Sequence, residues 1–308
     1  MTAATILGLH HIAIAAADAP ALARFYADAA AFEPWPAAAA LWPDTQATWL
    51  AHCNMGLCLL PAAPGAQPLR HPVSEAGFTH LCLQTTHIQA LQRRFAAAHA
   101  SFHCDPIDLG TGFLYCYARD PEFNITEIEC VPPVWPDPAP WVAHINLASA
   151  DLKRTVDFYA QLLGSAAVRS PKLQRDSRLN AIADLPDVQL RMAWLQTANA
   201  QIEVMQYHAP ATTEPSARRR PGAPGFVHLA LEVSDLAAAT QHLRACGGQA
   251  SDPAPGAFFT DATDADGNHL RLLDLSHPAR RSASIQALRD PHINQRFAAA
   301  RAALSKAP

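Results

Sequence analysis

A stretch near the N-terminus, HIAIAAADAPALARFY from His11, recurs from His144 as HINLASADLKRTVDFY. The copies agree at the histidine, at the isoleucine after it, at an aspartate (Asp18, Asp151) and at a Phe-Tyr pair (Phe25-Tyr26, Phe158-Tyr159). Two further segments fit the frame, HLCLQTTHIQALQRRF from His80 and HLALEVSDLAAATQHL from His228. Four copies of one unit, about seventy residues apart, must each solve the same burial problem and so should fold alike.

The pattern within each copy states what that unit is. A short apolar or alternating run opening on histidine is strand-like. The polar residue seven positions on (Asp18, His87, Asp151, Asp235) can cap the first turn of a helix, and an apolar helical period follows it. Weaker strand signals come next, ending in a last strand such as NITEIECV or AQIEVMQY. Each copy therefore reads as βαβββ, an α+β unit whose sheet leaves one face uncovered, so the copies should pack in pairs. The proline-rich VPPVWPDPAP (131–140) separates copies two and three. The expected divisions are 1–133, 134–277 and a helical tail over 278–308, where SASIQALRD and NQRFAAARAAL read as amphipathic helices packing on a sheet or subunit.

Composition narrows the partners. A formal net charge of −4 gives nucleic acid no electrostatic footprint. The one basic run, ARRRPG (217–222), sits between proline and glycine as a solvated loop would. No apolar stretch approaches the ~18 residues that span a bilayer, and the N-terminus lacks a secretory pattern. Seven cysteines without C-x-x-C pairs argue against a disulfide framework. The expectation is a cytoplasmic protein acting on a small molecule, with no nucleic acid or membrane partner and a homodimer as a candidate assembly.

The last strands align as well. RDPEFNITEIE (119–129) resembles TDADGNHLRLL (263–273), and the position three beyond each asparagine is Glu127 in copy two and Arg271 in copy four. Copies one and three place Leu57, approximately, and Glu203 there. Four βαβββ units, each opened by histidine, with DPxxNxxE closing one and LLG following a Phe-Tyr helix, resemble the vicinal oxygen chelate superfamily. That superfamily includes glyoxalase I, methylmalonyl-CoA epimerase, extradiol dioxygenases and the bleomycin resistance proteins. The resemblance covers residues 7–276. It implies four modules paired into two barrel-like cups, with one divalent metal ion (Fe, Mn, Zn, Ni or Co) held by first-strand and last-strand side chains.

Carried onto this chain, the first-strand ligands are His11, His80, His144 and His228 and the last-strand ligands Glu127 and Glu203, with Leu57 and Arg271 departing from the pattern. Imidazole plus carboxylate suits these metals and leaves open positions for substrate. Pairing within each half gives His11, His80, Glu127 and His144, Glu203, His228. Crossed pairing gives one complete set, His80, Glu127, His144 and Glu203, and a remnant of His11 and His228 beside Arg271. The crossed arrangement is favoured because it puts both losses in one place. Arg271 itself has no lone pair for a cation. It should face an anion in a metal-poor cup or form a surface salt bridge. His10 should point away from the cup, exposed or packed outside it.

The expected chemistry is that of an isomerase or lyase. A metal-stabilised enediolate or oxyanion forms on a substrate chelated through two oxygens, while Glu127 or Glu203 moves a proton. The alternatives are an extradiol-type ring-cleaving dioxygenase using Fe(II) or Mn(II), and a metal-free small-molecule binding protein. Cys58, beside the vacant position, reads as a small buried hydrophobe. Trp49, Phe113, Trp194 and Tyr207 read as core residues or an aromatic pocket wall.

Overall fold

The computed structural model describes residues 6–43, 45–132, 139–170, 172–214, 222–288 and 290–304. The arginines of the basic run at 217–222 and most of the proline-rich stretch at 131–140 lie outside them. Module one comprises β1 (Ile6–Ala16), α1 (Ala19–Ala30), β2 (Glu33–Pro34), the short α2 (Pro36–Ala39), β3 (Thr48–Ala51) and β4 (Gly56–Pro61). Module two follows with β5 (Gly77–Thr85), α3 (Ile88–Ala97), β6 (Ser101–Phe102), β7 (Ile107–Asp108), β8 (Leu114–Arg119) and β9 (Ile125–Cys130). Module three has β10 (Trp141–Ala148), α4 (Leu152–Leu163), β11 (Val168–Arg169), α5 (Arg178–Ala183), β12 (Gln189–Gln196) and β13 (Gln201–Ala209). Module four has β14 (Gly225–Val233), α6 (Leu236–Ala245), β15 (Gln249–Ala250), β16 (Phe259–Thr263) and β17 (His269–Asp274). A 3-10 turn (Pro278–Ala283), α7 (Ile285–Leu288) and α8 (Ile293–Leu304) complete the chain. Among the described residues no helix is long and apolar enough to cross a membrane.

The caps show why the repeat looks as it does. Asp18, Asp151 and Asp235 accept hydrogen bonds from the backbone N–H three residues on, each worth about 1 kcal/mol of helix stability. His87 makes no such bond, contrary to the expectation; instead Thr85 Oγ1 accepts from the His87 N–H. Gly164, closing LLG, takes the left-handed conformation (φ 61°) that ends α4.

Two sheets result, and each takes one module from each half of the sequence. One runs β15-β16-β17-β14-β1-β4-β3-β2, pairing modules one and four through antiparallel β1 and β14. The other runs β11-β12-β13-β10-β5-β9-β8-β6, pairing modules two and three through β5 and β10. We call these the outer and middle sheets. Neither closes into a barrel; each is a curved cup.

Alternation divides every central strand. Ile12, Ile14, Leu57 and Leu59 of the outer sheet and Leu81, Leu83, Ile145 and Leu147 of the middle sheet are fully or almost fully buried in one apolar cluster with the helices. Burying such a side chain contributes about 1.5–3 kcal/mol, so this shared core is the main reason the sheets stay together.

The helix layer joins modules within each half, as the sheets join modules across halves. Phe25 of α1 meets Phe95 of α3 edge to face at 5.6 Å. The repeated tyrosines donate into the repeated turns: Tyr26 to Asp120 at 3.0 Å and Tyr159 to Asp264 at 2.9 Å. Two asparagines clasp the sheets. Asn54 pairs with the backbone N–H and C=O of Val142, and Asn199 does the same with Leu9. The repeated Phe-Tyr and DPxxN signatures are thus structural contacts between units.

Candidate metal centre

The register of the middle sheet sets four side chains on one concave face. In the parallel pair β5/β9, Glu127 lies opposite Cys82, two residues past His80. In β10/β13, Glu203 lies opposite Asn146, two residues past His144. The antiparallel junction of β5 and β10 brings the two halves of this pattern face to face. His80 Nε2 stands 3.2 Å from Glu127 and 3.7 Å from Glu203; His144 Nε2 stands 2.9 and 3.1 Å from the same carboxylates. All four ligand atoms lie within 4.8 Å of one another, and all four residues are buried.

These spacings fit a shared ion. Ligands bonded at about 2.1 Å stand about 3.0 Å apart at right angles and about 3.4 Å apart in a tetrahedron, which the observed distances bracket. The supporting groups fix the donor atoms. Thr79 Oγ1 donates to Asn146 Oδ1 at 2.5 Å, so its oxygen accepts from His80 Nδ1 at 3.1 Å. That leaves the His80 Nε2 lone pair facing the carboxylates. Asn146 Nδ2 donates to Glu203 Oε2 at 2.9 Å, and Cys82 hydrogen-bonds the His144 ring.

The electrostatics agree with an electron-rich cluster that could hold a cation. Burial pushes the Glu127 and Glu203 carboxyls up, but the two histidines beside them outweigh it and hold both below the usual range. Burial opposes charge on His144, yet Cys82, Glu203 and Glu127 raise it well above its ordinary value. Glu129 behaves differently: burial and the neighbouring Glu127 push it up to about 7, and Gln84 Nε2 donates to it at 2.6 Å. Cys82, Glu129 and His144 also approach within 4.8 Å. Their shared histidine and the Gln84 bond make Cys82 and Glu129 the support behind His144. The sequence reading missed Glu129, although the period-two alternation from Glu127 marks it; Thr79, Cys82 and Asn146 carried no comparable signal.

The cup is lined and closed. Tyr117 faces His80 at 4.9 Å between ring centroids, and Met205 and Tyr207 share the Glu203 face. Leu179 and Ile182 of α5 pack on these residues, with Arg70–Asp184 (2.6 Å) and His103 Nδ1–Ile182 O (2.9 Å) fastening that helix. On another side, Ile293 and Phe297 of α8 pack against Cys82, Phe113 and Trp141, so the tail lies on the middle sheet. Of the aromatic candidates, only Tyr207 joins the α5-covered wall. Phe113 lies under α8, and half-buried Trp194 stands across from Glu203 on β12.

The outer sheet answers the rest. The equivalent register places Cys58 opposite Ala13, two past His11, and Arg271 opposite Ala230, two past His228. Cys58, not Leu57, therefore occupies the vacant ligand position; Leu57 points into the helix core. Burial pushes the Cys58 thiol up to about 12. His11 and His228 do meet, Nε2 to Nε2 at 3.1 Å, but no carboxylate joins them within the described residues. Their protons are already assigned. The Ala283 carbonyl can only accept, so His10 Nε2 donates to it, His11 Nδ1 donates to His10 Nδ1 (2.7 Å), and His228 Nε2 donates to His11.

This chain of neutral rings uses the lone pair that a metal would need. His10 is fully buried and stacked on Trp35 at 5.0 Å, so it belongs to the packing and is not exposed. Trp49 fills the cup 4.8 Å from His11, and Trp42 stacks on it at 4.6 Å. Arg271 Nε donates to Asp261 at 2.7 Å, and its guanidinium lies over Phe259.

The comparisons with known proteins come down on the same side. The family model described as Glyoxalase/Bleomycin resistance protein/Dioxygenase superfamily matches residues 8–128 and 141–272. No curated protein matches the sequence. Among solved structures, glyoxalase I from Zea mays superposes with a TM-score of 0.62 at 16% identity, over 88% of this chain and 92% of that one. A Bacillus subtilis protein, provisionally described as a dioxygenase, superposes with a TM-score of 0.62 at 14% identity over 96% of both chains. At such identities the likeness is one of fold. With the family model matched on both halves, over most of the length, the chain belongs to the Glyoxalase/Bleomycin resistance protein/Dioxygenase superfamily.

Proposed function

We propose that His80, Glu127, His144 and Glu203 hold one divalent metal ion, and that the protein is an isomerase or lyase acting on a small substrate that chelates through two neighbouring oxygens. The observation that carries this is the convergence of two histidines and two carboxylates, one of each from either module, within 4.8 Å. When bound, the ion supplies Lewis acidity at the substrate oxygens. The protein's own groups do the remainder. Glu203 is held by Asn146 and keeps its place. Among the described residues Glu127 hydrogen-bonds with the two histidines alone, and is the carboxylate free to take and return a proton at the carbon beside those oxygens. Tyr117, Met205 and Tyr207 give that step an apolar wall, and α5 excludes water from it. Ring cleavage by a dioxygenase asks for one carboxylate beside two histidines; the second carboxylate here favours proton transfer.

The test is elemental analysis of protein purified without chelators, followed by assays of the loaded protein. Zinc, nickel or cobalt with proton exchange on an oxygen-chelating substrate supports the reading. Iron with oxygen uptake on catechols replaces it with ring cleavage, and absence of any bound metal overturns it.

A further inference from the structure

Where β5 of the middle sheet passes β14 of the outer sheet lies a cavity of about 450 Å³, a size that takes a small organic ligand. Its walls are the first residues of both strands and the two DPxxN-type turns at 123–124 and 267–268. None of the four side chains of the metal centre lines it. Most of the wall is apolar, with Phe78, Ile125, Phe226, Val227 and Leu270 prominent.

Two features set it apart from a packing defect. The first is Arg119, which lines the cavity and is 98% buried, its relative exposure being 2%. Its guanidinium donates to His103 Nε2 (2.9 Å), Phe123 O (2.9 Å) and His71 O (3.0 Å). The two carbonyls are neutral. His103 is neutral as well, held below its ordinary value by burial, with Nδ1 donating to Ile182 O. Within the described residues no carboxylate reaches Arg119. The nearby Asp184 is taken by Arg70, and Asp120 accepts from Tyr26, from the Glu122 and Asn124 N–H groups and from Asn124 Nδ2. Two of the five guanidinium N–H groups are left over. Arg271, the other guanidinium on the wall, already has Asp261. The cavity therefore carries one positive charge without a counter-ion, an arrangement costly to bury.

The second feature is Phe123. It sits in the left-handed region at φ 69°, where its counterpart in module four is Gly267 at φ 85°. A bulky residue pays a conformational cost there that glycine does not. Phe123 nevertheless keeps its ring at the cavity wall, 39% exposed.

We infer that this cavity binds a small monocarboxylic acid with an apolar body, its carboxylate on Arg119 and its apolar part under Phe123. The two spare N–H groups match two carboxylate oxygens, and a single guanidinium balances a single negative charge. The phosphate dianion would leave a charge unpaired among apolar walls.

Phenylacetate and its neutral analogue phenylacetamide are suitable probes, titrated calorimetrically into the metal-loaded full chain. Phenylacetate should bind at least about tenfold more tightly than the amide, as expected for a charge-assisted pair. Ala223→Trp, which fills the cavity from its 222–225 wall, should remove binding with metal content unchanged. Arg119→Met should erase the preference for the anion. Because that change also breaks bonds to two loop carbonyls, Phe123→Gly provides a variant that relieves backbone strain; it should weaken phenylacetate several-fold while leaving the fold intact. Equal binding of the two probes, no binding of either, or binding that survives Ala223→Trp would overturn the inference. So would competition by inorganic phosphate as strong as that by phenylacetate. Binding lost in Glu127→Ala but kept in Ala223→Trp would move the probe to the metal centre and equally refute it.

Discussion

The middle and outer cups share one construction and differ at two of four positions. Both set two histidines two residues ahead of the point opposite the last strand. The middle cup completes the set with Glu127 and Glu203, the outer with Cys58 and Arg271. The fold can evidently keep its strands, register and helix layer while the chemistry of the concave face changes. In the outer cup tryptophans and a neutral histidine chain occupy the place of a cation. Backbone geometry places ligands; it does not make a site.

The largest test of this contrast is Glu127→Ala and Glu203→Ala, made separately. Each should lower metal affinity at the same single centre by at least about a hundredfold and abolish turnover, while His11→Ala and His228→Ala leave metal content unchanged. Stoichiometry by elemental analysis decides it, and a second ion lost from His11→Ala would erase the difference between the cups.

Acid should affect the outer sheet next most strongly. Burial holds His10 down to about 4 and His228 to about 3. An unfolded chain takes up their protons near pH 6.5, which the folded protein refuses. The stability these residues confer is complete above about 6.5 and is lost as pH falls toward 4, by about 3 kcal/mol for His10 alone. Thermal melts across that window should show the loss, with a shallower slope in His10→Gln; identical slopes would mean that the imidazole is charged in the fold.

The double change Cys58→Glu with Arg271→Glu restores both carboxylates and should create a second, weaker site, gaining about tenfold in divalent-metal affinity over the wild-type outer cup. Lack of any gain would show that the tryptophan filling, and not the missing ligands, now defines that cup. Smallest should be Arg70→Ala. The Arg70–Asp184 pair is half-exposed on both sides, so its removal should cost under about 1 kcal/mol and at most raise the rate of substrate entry past α5. A large fall in melting temperature would show that α5 is structural.

Much of this contrast was legible in the sequence. Four histidines at one strand position, and carboxylates at Glu127 and Glu203, follow from the repeat because each module places its first and last strands alike. The choice of partners was not written locally. It depends on β5 meeting β10, and β1 meeting β14, through contacts between distant parts of the chain; only the clustering of the losses favoured the crossed answer. Leu57 stood one residue off because the turn before β4, like the one before β13, is one residue shorter than the DPxxN-type turns before β9 and β17 that set the frame, and a slip of one residue exchanges the faces of a strand. Thr79, Cys82 and Asn146 act behind the ligands, where a single sequence offers no recurrent mark, and Glu129 was marked only by its alternation with Glu127. The helix α5 has no equivalent in the other modules except the short α2, so the repeat gave it no frame.

The crossed sheets also dictate an order of assembly. Every strand of the middle sheet lies between residues 77 and 209, whereas β1 pairs with β14, with Ile6 opposite Val233. A chain made from its N-terminus thus has β1 paired with β4, and the whole middle sheet in hand, before β14, the other partner of β1, exists. Closing the outer sheet then requires a loop spanning most of the protein, the kind of long-range contact that slows folding. Meanwhile β1, apolar except for His10 and His11, waits with an open hydrogen-bonding edge, the feature most prone to mispairing in a nascent chain. The two modules without a carboxylate at the ligand position are thereby also the ones whose pairing determines how long the newborn protein stays vulnerable.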